Sequence, residues 1–201
     1  VYTDLEKADR VYQAIRRKIS YMDLRRIYKC FLSTVPDKEM ILLRYIVLGF
    51  HIGSGISKLH GNPDVFAAQE IEKKINVEAE RMRQFVRFSV MQGNILYARI
   101  EPDHDVLELI GDHFSDRFRN DPFLIHDVRR SKAMAGYQGK WYVTSFAEND
   151  VPEESEEEKE YQALWQKYFD HIAIKERKNS NCQRNFMPLR YRKHLTECQI
   201  R

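Results

Sequence analysis

The chain has 201 residues, 43% of them hydrophobic and 12% aromatic, with a formal net charge of +3. Such a composition excludes a disordered polymer, and the length is enough to bury a substantial core. Cys30, Cys182 and Cys198 are too widely spaced for a disulfide framework or a zinc pattern, so no metal and no cofactor is expected, in a reducing, cytoplasmic setting.

No run approaches the roughly 18 consecutive apolar residues of a membrane span. Met40–Phe50 is the most apolar stretch, and Arg44 interrupts it, so no membrane contact is expected. No secretory leader is recognisable after Val1.

The first eighty residues read as helical. Thr3 to Glu6 has the pattern of a capping box, followed by Leu5, Ala8, Val11, Tyr12, Ile15 and Ile19 at helical spacing. A second run carries Leu24, Ile27, Tyr28, Phe31 and Leu32, and a third, after Pro36, carries Met40, Leu43, Tyr45, Ile46 and Val47. Asn62-Pro63 predicts an N-cap and first turn for a long helix ending near Arg83.

The period changes at Phe85. Phe85–Met91 and Ile95–Ile100 alternate around Gln92-Gly93-Asn94, the signature of a hairpin. A helix is predicted from about Asp105 to Phe118, then strands over Phe123–Tyr137 and Lys140–Phe146 turning near Gln138-Gly139. Tyr161, Leu164, Trp165, Tyr168, Phe169 and Ile172 mark a last amphipathic helix. The predicted fold is α+β: a helical N-terminal half, then a β-β-α-β-β-α unit with an antiparallel sheet. The expected division is a helical subdomain over residues 1–84 and an α+β subdomain over 85–201.

Charge reverses near the end. Residues 148–160, read as a linker, hold eight acids against Lys159, whereas residues 175–201 form a basic tail with eight Lys or Arg against Glu176 and Glu197. Local separation of this kind steers anionic partners whatever the net charge. The acidic segment is also a candidate intramolecular competitor for the tail, so that deleting Glu153 to Glu158 is expected to tighten DNA binding.

Alternation along the first hairpin puts Val86, Phe88, Val90, Leu96, Ala98 and Ile100 on one apolar face. The opposite face carries Phe85, Arg87, Ser89, Ile95, Tyr97 and Arg99, a mixture of rings and guanidiniums suited to bases and phosphates. The competing reading is a covered face whose arginines pair with acids at its edge. Arg129 and Arg130, with Lys175, Arg177, Arg190, Tyr191 and Arg192 of the tail, complete the candidate nucleic-acid contacts.

For chemistry, the candidates are His113, His126 and Asp127 as acid–base groups, with Arg87 and Arg129 in the same pocket. His126 and Asp127 are adjacent on a strand and point apart, so they cannot form a dyad with one another. Phosphate-loop, nucleophile-elbow and zinc-deaminase motifs are absent from the sequence.

Several segments together resemble a bacterial family labelled DNA metabolism protein, itself a domain of unknown function. They are Phe85–Phe88, Tyr97–His104, His113–Phe118, Pro122–Arg130, Ile172–Asn179 and Phe186–Glu197. The resemblance implies a companion radical-SAM protein and, in some relatives, fusion to a uracil-DNA glycosylase-like domain. It brings no catalytic residues, and this chain has neither a three-cysteine cluster motif nor a glycosylase motif. The expected function is that of an accessory protein for DNA metabolism or repair, holding single-stranded or damaged DNA for such a partner. An enzyme with an Arg/His pocket and a protein-interaction partner without nucleic-acid contact are the alternatives.

Overall fold

A computed structural model of the chain describes residues 4–151, 153–172 and 179–198. The chain divides into two compact units, one of Val1–Glu78 with Asp103–Val106 and the other of Ala79–Pro102 with Leu107–Arg201.

The first unit is helical. Helix α1 (Leu5–Lys18) is capped by Asp4, whose carboxylate accepts from the Lys7 amide at 3.0 Å, so the cap lies one residue beyond the expected Thr3. Helix α2 (Tyr21–Phe31) is capped by Ser20. Helix α3 (Lys38–Ile52) follows Asp37, which takes a left-handed conformation with φ 58°. Helix α4 (Pro63–Phe85) begins as its sequence predicts, with Asn62 Oδ1 accepting from the Asp64 and Val65 amides at 3.0 and 3.2 Å. It contributes Val65, Ala68, Ile71 and Ile75 to this core.

A charged network lies within that apolar packing. Asp23 is 2% exposed and accepts from Arg26 (2.9 Å), Tyr45 (2.6 Å) and Ser20 (2.5 Å). Arg26 also reaches Glu72 on α4 at 2.7 Å. Burial, then the bond to Asp23, pushes the Tyr45 phenol well above its ordinary pKa.

Helix α3 turns differently from the sequence expectation. Leu42, Tyr45 and Gly49 are buried, while Met40, Leu43, Val47 and Phe50 line an exposed stripe. With the 3-10 turn Gly53–Lys58, the stretch Lys38–Lys58 is 21 residues long and holds an 18-residue window of mean hydropathy 1.5, enough by length and composition to cross a membrane although Arg44 and His51 interrupt it. Length and composition alone are weak grounds for a span, because core helices pass the same measure.

The second unit is built on a five-stranded sheet in the order β1 (Ser89–Met91), β2 (Ile95–Ile100), β3 (Phe123–Asp127), β4 (Lys132–Tyr137), β5 (Lys140–Ser145). Three joints are antiparallel, whereas β2 and β3 pair in parallel from Leu96 opposite Phe123 to Ile100 opposite Asp127. The sheet is therefore mostly antiparallel, with a crossover through helix α5 (Leu107–Arg117) at its centre. The single strand expected over Phe123–Tyr137 is split by a turn at residues 128–131, where Ser131 has φ 49°. The β1–β2 loop has three residues, Gln92-Gly93-Asn94, with φ 81° at Gly93 and 56° at Asn94. The β4–β5 turn has two, Gln138-Gly139 (φ 51° and 72°), in the paired left-handed conformations that suit sheet twist. Of the strand expected over Phe85–Met91 only Ser89–Met91 forms, because α4 runs on to Phe85.

One sheet face, carrying Phe123, Ile125, Met134, Gly136 and Trp141, packs on α5. Gly111 of α5 admits the Trp141 indole, whose Nε1–H donates to Asp112 at 2.8 Å. The other face carries Tyr97, Arg99 and His126.

The acidic segment expected to be a linker has regular structure. After a 3-10 turn at Glu148–Asp150, Glu154 bridges to Met91, the Gln92 amide donates to Glu153 O at 2.9 Å, and the Ser155 amide donates to Val90 O at 3.1 Å. Helix α6 (Glu156–Ile172) starts with Glu156, Glu157 and Glu158, acids that suit the positive end of a helix dipole. Glu158 also accepts from the Val90 amide at 3.0 Å. The run thus dresses the β1 edge, and deleting Glu153 to Glu158 would strip that edge, so deletion is the wrong test of electrostatic competition. The apolar stripe of α6 faces outward, with Tyr161, Leu164, Trp165 and Tyr168 all exposed.

Helix α7 (Ser180–Phe186) and 3-10 turns at Leu189–His194 and Thr196–Cys198 complete the described chain.

Candidate functional site: a basic cleft beside strand β2

Strand alternation puts Tyr97 and Arg99 on one face of β2, and the parallel register sets Arg99 beside His126 of β3. Tyr97, 5% exposed, shares a hydrogen bond of 2.9 Å between its hydroxyl and His126 Nδ1. The Phe146 ring stands edge-on to the His126 imidazole at 4.9 Å. Burial pushes the Tyr97 phenol up to about 12. From the turn after β5, Glu148 Oε1 reaches Arg99 Nη2 at 2.5 Å.

The C-terminal segment returns to this end of β2. The Tyr191 ring lies 5.9 Å from Phe85, under the Arg190 guanidinium at 4.7 Å and within 5.7 Å of Arg81. Glu101, just past β2, binds Lys193 at 2.5 Å and His194 Nε2 at 3.1 Å. The hydrogen bond from Lys193 comes first in holding the Glu101 carboxyl below its usual range. Together these groups line a small cleft with a volume of about 20 Å³, open to solvent, formed by Met82, Phe85, Val86, Arg87, Arg99, Ile100, Glu101, Arg190, Tyr191 and His194. Three arginines face one acid there, so the lining is cationic.

Several expected contacts take other roles. Tyr97 is buried, and its ring is closed to a stacking base. Arg130 binds Asp127 at 2.8 Å and the Pro102 carbonyl at 3.2 Å. Arg129 is exposed on the β3–β4 turn, outside the cleft. Arg192 Nε donates to the Met187 carbonyl at 3.2 Å. Lys175 and Arg177 lie outside the described residues. Arg87, Arg99, Arg190 and Tyr191 do come together, although Tyr191 is 7% exposed and is fixed as part of the wall.

The acid–base candidates do not converge. His126 lies on the Tyr97 face of the sheet, whereas Asp127 lies on the opposite face with Arg130. His113 is exposed on α5, which packs on the sheet face away from His126, and its ring meets Phe114 at 4.9 Å. The shared pocket of His113, His126, Arg87 and Arg129 is therefore not formed, since acid–base work needs hydrogen-bond reach. No cluster of three or more His, Cys, Asp or Glu suited to a metal occurs among the described residues.

Sequence reasoning missed Glu101, Glu148 and His194 as site groups. Only tertiary pairing joins them: His194 and Glu101 are 93 positions apart.

His126, which is buried, and His194, which is half-buried, set a pH dependence. Burial lowers the pKa of His126, with Arg99 adding to the effect and Glu148 opposing it. Burial likewise lowers that of His194 against the pull of Glu101. Both rings are thus neutral in the folded chain at pH 7, and His194 Nε2–H donates to Glu101. The unfolded chain takes up protons near pH 6.5 that the folded chain refuses. Their stabilising contribution is full above that pH and is lost as pH falls through it. The unfolding midpoint is expected to drop by several degrees between about pH 7 and pH 5. Thermal melts across that range check it, a flat profile counting against buried neutral rings.

The family described as a domain of unknown function, DUF4130, matches residues 36–197. No curated protein and no solved structure matches the chain significantly.

Proposed function

The chain belongs to the DUF4130 family of domains of unknown function, and we propose that it is a nucleic-acid-binding accessory protein for DNA metabolism or repair. The observation that carries this reading is the cleft, where Arg87, Arg99 and Arg190 face Glu101 as the lone acid of the lining. Guanidiniums grouped in this way suit successive phosphates of a strand, with counterion release as the driving term. A single strand, or the opened strand of a damaged duplex, can adapt its phosphates to the spacing of the arginines, as a rigid duplex cannot.

The dispersal of His113, His126 and Asp127 favours holding nucleic acid over transforming it. The chemistry then belongs to a partner enzyme, and the resemblance to DNA metabolism proteins supports a radical-SAM protein or a glycosylase-like domain in that role. The thiols of Cys30 and Cys182 suit a reducing cytoplasmic setting.

Titration of a labelled single-stranded oligonucleotide at several salt concentrations tests the reading. Neutralising three phosphates predicts a slope of about −2 in log affinity against log salt. Duplex of the same sequence is expected to bind more weakly. No binding at low salt, or binding indifferent to salt, would sink the proposal.

A further inference from the structure

Arg99 is incompletely satisfied. Its Nη2 binds Glu148 at 2.5 Å, but its Nε is buried without a hydrogen-bond partner. A buried donor left unpaired is costly, so an acceptor arriving there is favoured by the bond it supplies. Nε and Nη2 form one edge of the guanidinium, spaced to receive two oxygens of the same anion. The Glu148 carboxylate occupies only half of that edge, through one oxygen. Its side chain is 56% exposed and sits on a three-residue 3-10 turn, and an ion pair exposed to this degree is weak and readily displaced.

We propose that the Arg99 edge is a phosphate subsite and that Glu148 is its resident competitor. An incoming phosphate displaces the Glu148 carboxylate, bonds Nε and Nη2 together, and enters the cleft lined by Arg87, Arg190 and Tyr191. Glu148 returns when the phosphate leaves, which keeps the cleft selective for groups that can take both donors. The nucleic-acid reading above supplies the source of the phosphate as a strand. The subsite itself rests on Arg99 and Glu148 and admits free phosphate as the other source.

The experiment uses the full chain with two probes, inorganic phosphate by calorimetry and a labelled single-stranded oligonucleotide by anisotropy. Glu148→Gln removes the competitor while keeping the side-chain shape, and Glu160→Gln makes the same charge change outside the cleft. Arg99→Lys keeps the charge but abolishes the two-donor edge. Glu148→Gln is expected to tighten both probes about fivefold, the value of an ion pair of about 1 kcal/mol no longer broken on binding. Glu160→Gln is expected to change either by less than about twofold, and Arg99→Lys to weaken both at least about tenfold.

Equal effects of Glu148→Gln and Glu160→Gln would overturn the subsite, leaving only net charge. If the oligonucleotide binds with the expected salt slope yet ignores Glu148→Gln, the subsite falls and the nucleic-acid reading stands. If phosphate follows the variants and the oligonucleotide neither binds nor competes, the subsite stands and the strand reading falls. Unfolding midpoints of the variants show whether Arg99→Lys perturbs the fold. Should it do so, the two glutamine variants, which leave Arg99 in place, decide.

Discussion

Arg26→Met is expected to destabilise the helical unit by about 3–5 kcal/mol, a fall on the order of 10 °C in its unfolding midpoint. The size follows from what is left behind. Arg26 neutralises Asp23 at 2.9 Å and Glu72 at 2.7 Å, and Asp23 is 2% exposed. Methionine fills much of the volume but leaves the Asp23 carboxylate buried with only the hydroxyls of Tyr45 and Ser20 for company. An uncompensated buried charge is the expensive outcome, more so than loss of the pair as a whole.

One consequence separates this account from simple loss of packing. Adding Asp23→Asn to Arg26→Met should recover part of the stability, because a neutral amide tolerates burial better than a carboxylate. Chemical unfolding of the three proteins measures it. A double variant no more stable than Arg26→Met would show that the buried charge is not the cause.

Much of the local structure was legible because single residues dictate it. Asn62-Pro63 could only open a helix well, and Gln92-Gly93-Asn94 could only close a hairpin well. The alternation that put Tyr97 and Arg99 on a common face is equally local, since it depends on the period of a strand. What lies against that face is not local. Tyr97 pairs with His126, which is 29 positions away, across a parallel joint that no hairpin signal announces. The reading of this face as an open array of rings and guanidiniums therefore fails for Tyr97, while Arg87 and Arg99 are the part of it that reaches the cleft.

Amphipathic periodicity has the same limit. It marks the stripes of α3 and α6, yet Met40, Leu43, Val47, Tyr161 and Trp165 are exposed, because spacing says which residues share a side and not what covers that side. Charge runs mislead in a related way. The acids of residues 153–158 look like solvated linker, but their backbone ladders with β1, and the contact with a cleft arginine comes from Glu148 instead. A charge count locates the field, while the hydrogen-bonding needs of the nearby strand edge decide where the chain goes.

Gly136→Ala carries the other large expected effect, a loss of about 3 kcal/mol or somewhat more, at the upper end of overpacking. Gly136 sits in β4 directly opposite Phe123 of β3, and a Cβ placed on it would come within 2.2 Å of Phe123 Cε1 and Cζ. Its backbone is ordinary strand, so the penalty is steric and not conformational. The Phe123 ring has little room to yield, being 2% exposed and packed against Phe118 at 5.9 Å. Relief would have to come from separating β3 and β4 or from pushing the ring towards α5, and either disturbs the sheet that presents Arg99 and His126.

A double-mutant cycle with Phe123→Leu isolates the clash. Leucine alone leaves a void and is destabilising by itself. Combined with Gly136→Ala, however, it gives the new methyl the space that the ring vacates. The pair should be less destabilised than the sum of the single variants by about 1–2 kcal/mol, within the range seen for contacting core residues. Strict additivity would mean that the alanine is accommodated by the backbone and that Phe123 does not set the size limit at position 136. Since the cleft arginine lies on the neighbouring strand, the same cycle read by phosphate affinity tests whether the core behind the sheet fixes the position of Arg99: Gly136→Ala should weaken binding, and Phe123→Leu should restore it.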